Sequence, residues 1–250
     1  GTTGAYTIAP TAGLSDGNHT VTVTATDAAG NISESDALTM TVDTTPPAQP
    51  TITTTTILTS NSTSTIEGEA EAGSTVELFD GSESLGTITE DAEGQFSITT
   101  PILSDNNYSL TVKATDAAGN ISTASSELNL TVDTTAPAQP TITTTTSLTN
   151  SATPTIEGIA EPGSTLTLFV DGETTGVTTI ADGTTGAYTI APTAGLSDGN
   201  HTVTVKATDA AGNISAASDS LTMTVDTTAP AQPAITTRTT LFDFNKDKTT

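Results

Sequence analysis

The side chains able to do chemistry in this chain are carboxylates, and they recur at fixed places. Ala-Thr-Asp-Ala-Ala-Gly-Asn occurs at Ala25–Asn31, Ala114–Asn120 and Ala207–Asn213. Each copy is followed by Val-Asp-Thr-Thr and a proline, at Val42–Pro46, Val132–Pro137 and Val225–Pro230. Oxygens of Asp and Asn at this density suit a hard divalent cation, since calcium takes roughly 6–8 oxygen ligands. The same residues also build tight turns, in which Asp accepts backbone N–H bonds and Gly119 or Gly212 takes φ > 0. Nucleophilic catalysis has no support. There is no Cys, and His19 and His201 stand where the intervening copy has Tyr108, so no nucleophile–His–acid set recurs. Asp243-Phe244-Asn245-Lys246-Asp247 alternates oxygen ligands but lacks the Gly and distal Glu of a calcium loop.

Composition narrows the partners. With 5 Lys+Arg against 29 Asp+Glu the net charge is −24, which repels nucleic acid and anionic membranes. Aromatic residues make up 3% and Trp is absent, which argues against sugar-stacking platforms. No apolar run approaches the ~18–20 residues that a membrane-spanning helix needs. The chain opens inside a repeat and carries no signal peptide, so it reads as an excerpt in which targeting signals would lie elsewhere.

The elements that must position the carboxylates follow from the period. The joint aspartates Asp43, Asp133 and Asp226 lie 90 and 93 positions apart, the spacing of a module array. The expected division is a C-terminal part of a module at 1–45, complete modules at 46–135 and 136–228, and the start of another at 229–250. Gly1–Asn31 matches Gly183–Asn213 at every position except Thr24, which is Lys206 in the later copy. The module 46–135 reads as seven short strands: Thr51–Thr54, Ser64–Ala70, Thr75–Phe79, Leu85–Thr89, Gln95–Thr99, a strand through Tyr108, Leu110, Val112 and Ala114, and one through Leu128, Leu130 and Val132. Apolar residues alternate with polar ones in the period of a half-buried strand, and about a quarter of the chain is the β-branched residue Thr. Gly and Asp turns at about 8–12-residue spacing indicate an all-β antiparallel sandwich.

Four linked motifs carry a resemblance. They are Gly158–Ser164 (Gly-Ile-Ala-Glu-Pro-Gly-Ser), Leu196–Val205 (Leu-Ser-Asp-Gly-Asn-His-Thr-Val-Thr-Val), the Asp-Ala-Ala-Gly-Asn turn and the Val-Asp-Thr-Thr-Ala-Pro joint. Together they resemble the bacterial Ig-like repeats of giant secreted surface adhesins, of the RTX-type and biofilm-associated kind. The resemblance implies tandem Ig-like β-sandwiches in a linear array, forming the extender of a secreted, cell-surface protein, with calcium where consecutive modules meet.

In such a sandwich three of the connections gather where the chain enters. That pole would collect Glu71, Asp91, Glu93, Asp116 and Asn120 in one module, with Asp43 from the incoming joint. In the next it would collect Glu161, Asp182, Asp209 and Asn213, with Asp133. Converging carboxylates raise one another's pKa or require a cation, so all of these but Glu93, ten residues, are the expected Ca2+ ligands. Asp16, Asp105 and Asp198 sit in Ser-Asp-Gly/Asn turns and are expected to serve those turns alone. The expected function is a non-catalytic stalk stiffened by calcium and by its neighbouring repeats. The alternatives are an Ig-like module binding a glycan or protein, and a spacer attached to a secreted hydrolase.

Overall fold

The computed structural model describes residues 4–89 and 93–235. No helix occurs among them, as the period-two alternation requires. The chain divides into two compact units. The first is Gly1–Pro137 with Thr208–Ile214, the second Ala138–Ala207 with Ser215–Thr250.

The first unit opens with two small antiparallel ladders. β1 (Gly17–Val21) pairs with β4 (Leu38–Val42), and β2 (Thr24–Thr26) with β3 (Ile32–Glu34). A complete sandwich follows, made of β5 (Thr51–Ile52), β6 (Leu58–Thr59), β7 (Thr65–Glu69), β8 (Thr75–Asp80), β9 (Glu83–Thr89), β10 (Gln95–Thr99), β11 (Asn106–Thr115) and β12 (Leu128–Val132). One sheet has the order β10-β7-β5, the other β6-β12-β11-β8-β9. The second unit repeats the scheme with β13 (Thr141–Ile142), β14 (Leu148–Thr149), β15 (Ile156–Ile159), β16 (Thr165–Val170), β17 (Glu173–Ile180), β18 (Ala187–Ile190), β19 (Gly199–Thr208) and β20 (Leu221–Val225). Its sheets run β13-β15-β18 and β14-β20-β19-β16-β17.

Alternation decides what is buried. Ile66, Val76, Leu78, Phe96, Ile98, Leu110, Val112, Leu130 and Val132 form the first core, and Ile156, Leu166, Leu168, Tyr188, Ile190, Val203, Val205, Met223 and Val225 are buried in the second unit. The seven expected strands are present, and an eighth joins them. After β5 the chain changes sheets, and Leu58–Thr59 pairs in parallel with β12 at Thr131 and Val132. Two residues leave no period to read, so β6 is silent in the sequence.

After the second and third Asp-Ala-Ala-Gly-Asn turns the chain runs beside β11 or β19 without a regular ladder. Serine hydroxyls take the place of carbonyls there: Ala114 N–H donates to Ser122 Oγ at 2.9 Å and Val112 N–H to Ser125 Oγ at 3.1 Å. Ser215 and Ser218 serve Ala207 and Val205 in the same way. Buried backbone donors must be satisfied somewhere, and these hydroxyls do it.

Close packing requires glycine at two strand positions, one in β7 and one in β15. Gly68 sits opposite Phe96, and Gly158 opposite Tyr188. A Cβ on Gly68 would lie 2.0 Å from Thr51 O and 2.4 Å from the Phe96 ring; on Gly158 it would lie 2.0 Å from Thr141 O and 2.3 Å from Tyr188 Oη. The Tyr188 hydroxyl donates to Thr141 O at 2.9 Å, and burial pushes its pKa up to about 12. Gly68→Ala and Gly158→Ala should therefore each destabilise their own unit by roughly 1–3 kcal/mol or more, as overpacking does. Chemical denaturation of each variant checks this, and an unchanged midpoint would refute the packing account.

Candidate functional site

The three Asp-Ala-Ala-Gly-Asn turns fold by one rule. Asp116 Oδ1 accepts the N–H of Ala118 at 2.9 Å and of Asn120 at 2.8 Å, and its Oδ2 accepts Asn120 Nδ2–H at 2.8 Å. Gly119 turns the chain with φ 94°. Asp27 with Asn31 and Asp209 with Asn213 repeat the pattern. The Asn120 amide, then the backbone N–H groups, hold the Asp116 carboxyl below the usual carboxylate value. Desolvation pulls Asp209 upward, but the Asn213 amide and the turn's N–H groups outweigh it and leave its pKa lowered.

Each asparagine amide has a second N–H to give, and in two copies it gives it to the joint. Asn120 Nδ2–H donates to the carbonyl of Asp43 at 3.0 Å. Thr208–Ile214 packs within the first unit, where Asn213 Nδ2–H donates to the carbonyl of Asp133 at 2.6 Å. The turn therefore offers the linker an N–H donor, which fits a backbone carbonyl.

The linker is gripped by a further carboxylate. Asp105 Oδ1 accepts Thr134 N–H at 2.9 Å and Thr134 Oγ1–H at 2.6 Å, while Oδ2 accepts Thr135 Oγ1–H at 2.6 Å. Asp16 holds Thr44 and Thr45 likewise, and Asp198 holds Thr227 and Thr228. The hydroxyls of Thr228 and then Thr227 bring the Asp198 pKa down to about 2. These aspartates were expected to serve only their own turns. Their partners lie 28 to 30 positions away. A sequence signal did exist in the spacing from Ser-Asp to Thr-Thr, 28 positions in the first copy and 29 in the other two.

Of the ten expected cation ligands, nine lie among the described residues. Asp43 and Asp133 each accept a following N–H, from Thr45 at 3.0 Å and Thr135 at 3.1 Å. The carbonyls of Glu71 and Glu161 accept Ser74 and Ser164 N–H at 3.1 Å. Asp182 Oδ1 takes Thr184 N–H, Thr185 N–H and Thr185 Oγ1–H. Asp91 lies outside the described residues, as does the stretch 241–250. The structure thus brings together Asp116, Asn120 and the Asp43 carbonyl, and Asp209, Asn213 and the Asp133 carbonyl. Among the described residues no three Asp, Glu, His or Cys side chains form a group able to hold a metal.

A protein-family model for the bacterial Ig-like domain matches residues 1–44, 51–134 and 138–227. The chain belongs to the bacterial Ig-like domain family. Exoglucanase B of Cellulomonas fimi is 33% identical over 211 residues, covering 78% of this chain and 19% of that protein. Chitinase A1 of Niallia circulans is 36% identical over 143 residues, covering 51% and 19%. The chain therefore spans about a fifth of the length of the curated relatives it matches. Among solved structures, the fibronectin(III)-like modules of Clostridium thermocellum CbhA align over 71% of this chain and 94% of theirs, with TM-score 0.49 and 18% identity. A biofilm-associated protein BSP domain aligns over 73% and 30%, with TM-score 0.29 and 22% identity.

The clamp has a pH dependence with a definite sign. The folded pKa of Asp198 is depressed from 3.8 to about 2, so its contribution is present above the unfolded value and is lost as pH falls through the folded one. The amide resonances of Thr227 and Thr228 should hold steady on acidification to pH 3.8 and shift together near pH 2. A midpoint at the ordinary carboxylate value would show that the clamp is not formed.

Proposed function

We propose that this chain is a non-catalytic spacer array in a secreted bacterial protein, and that the protein is a polysaccharide-degrading enzyme. The observation that carries this reading is the interchangeability of its copies. The same turn, serine pairs and aspartate clamp recur with the same partners, and Gly1–Asn31 differs from Gly183–Asn213 at one position. A recognition surface would distinguish one repeat from the next, whereas a spacer needs only units that each fold and join. Repeat arrays place stability in each unit and its neighbour contacts, so length can change while the joints persist. The related exoglucanase and chitinase support an enzyme as the host, each carrying the related stretch over 19% of its length. An extender in a surface adhesin uses the same properties, and the near-identity of non-adjacent copies favours it as the second reading.

In this reading the joints are held by hydrogen bonds. Asn120 on the Asp43 carbonyl with Asp16 on Thr44 and Thr45, and Asn213 on the Asp133 carbonyl with Asp105 on Thr134 and Thr135, give each joint polar partners without an ion. Asn120→Ala removes both amide bonds and should cost about 1–2 kcal/mol. Chelation of divalent cations should leave the melting temperature of the purified chain unchanged. Calorimetry of wild type and variant, with and without EDTA, decides the point. A large EDTA effect on the wild type would restore calcium as the joint element.

The spacer reading is tested in the host. Deleting residues 46–228 should lower hydrolysis of insoluble cellulose or chitin several-fold and leave kcat on a soluble oligosaccharide unchanged. Hydrolysis or retention of either polymer by the isolated chain would overturn it. Retention of the host on the bacterial surface would favour the adhesin reading instead.

A further inference from the structure

His201, at the start of β19, lies outside the joints and has no counterpart in the preceding repeat, where Tyr108 stands. Its ring is nearly enclosed, with 11% of the side chain exposed. Both nitrogens face acceptors: Nδ1 is 2.8 Å from Asp171 Oδ2, and Nε2 is 2.9 Å from the carbonyl of Ser197. A carboxylate and a carbonyl can only accept, whereas a neutral imidazole has a single N–H. Only the imidazolium satisfies both partners at once.

The aspartate it holds is itself under constraint. Asp171 opens the turn between β16 and β17 with φ 53°, the one described non-glycine residue with positive φ, and Gly172 follows at 85°. Its Oδ1 accepts Thr202 N–H at 2.8 Å, so one carboxylate ties the hairpin tip to β19 through a backbone bond and the ring. The charged groups around the ring are few. The hairpin carries Asp171 and Glu173. The loop before β19 carries Asp198, which is engaged by Thr227 and Thr228, and β20 places the uncharged Met223 opposite.

The other two copies provide controls within the same chain. Tyr108 donates its hydroxyl to Ser104 O at 2.9 Å, and Asp80 Oδ1 accepts Ser109 N–H at 3.0 Å, so the first unit keeps the loop bond and the backbone tie without an ion pair. His19 keeps the Ser15 carbonyl at 2.7 Å and has no carboxylate partner among the described residues.

We propose that His201 is a proton-operated staple, an imidazolium bridging the Ser197 carbonyl and the Asp171 hairpin, which makes the second unit more stable in mild acid while the first unit, built with Tyr108, does not respond. The Ser197 carbonyl and then Asp171 raise the His201 pKa above 6.5. A raised histidine contributes stability that is fully present below the unfolded value and is lost as pH rises through the folded one. Deprotonation leaves one ring nitrogen without an N–H, so either the Ser197 carbonyl or Asp171 Oδ2 loses its ring donor.

The test uses the full chain. In an NMR titration the His201 Cε1–H midpoint should lie above 6.5, and it should fall back toward 6.5 in Asp171→Asn. That variant keeps a side-chain oxygen for Thr202 N–H and removes the charge. Thermal unfolding of His201→Tyr should match wild type at about pH 8.5 and fall below it at about pH 5 in the second unit's transition. A His201 midpoint at or below 6.5, or a His201→Tyr deficit equal at both pH values, would overturn the proposal. Equal deficits would show that the ring acts by packing alone.

Discussion

A backbone carbonyl leaving the last strand of a repeat has no ladder partner, and the structure of the first unit turns on how that group is satisfied. The answer at Asp43 and Asp133 is a primary amide. Asn120 and Asn213 are each pinned by an aspartate four positions earlier and each use the remaining N–H on the linker carbonyl. One amide carries two bonds because the Asp-Ala-Ala-Gly-Asn turn fixes its orientation beforehand, with glycine supplying the positive φ that closes the turn. The motif is thus a presented donor, prepared before the linker arrives.

The surplus of acid follows from the same logic. A carboxylate offers about four acceptor sites on a short arm, and the threonine pairs and turns bring hydroxyl and N–H donors to it. Asp105, Asp16 and Asp198 each collect hydroxyls and N–H groups from a Thr-Thr pair, and Asp182 collects three donors from Thr184 and Thr185. Engagement of this kind lowers the carboxyl pKa, the reverse of what crowding among like charges does. The depressed values at Asp16, Asp105, Asp116 and Asp198 describe acids held by donors.

The strand pairing recurs between copies, His19 facing Met40 as His201 faces Met223.

What the sequence by itself determined is the local and periodic part: all-β structure, the 90- and 93-residue repeat, the turn residues and the alternating core, because each is set by neighbours within a strand or a turn. The two-residue β6 and the partners of the carboxylates were decided only by tertiary structure. Asp105 meets Thr134 across 29 positions, and Asn120 meets Asp43 across 77. The donors that engage Asp16, Asp105 and Asp198 are brought by distant chain. His201 shows the same division. Its ring is plain in the sequence, but the imidazolium form follows from two acceptors that the fold places on opposite sides of it.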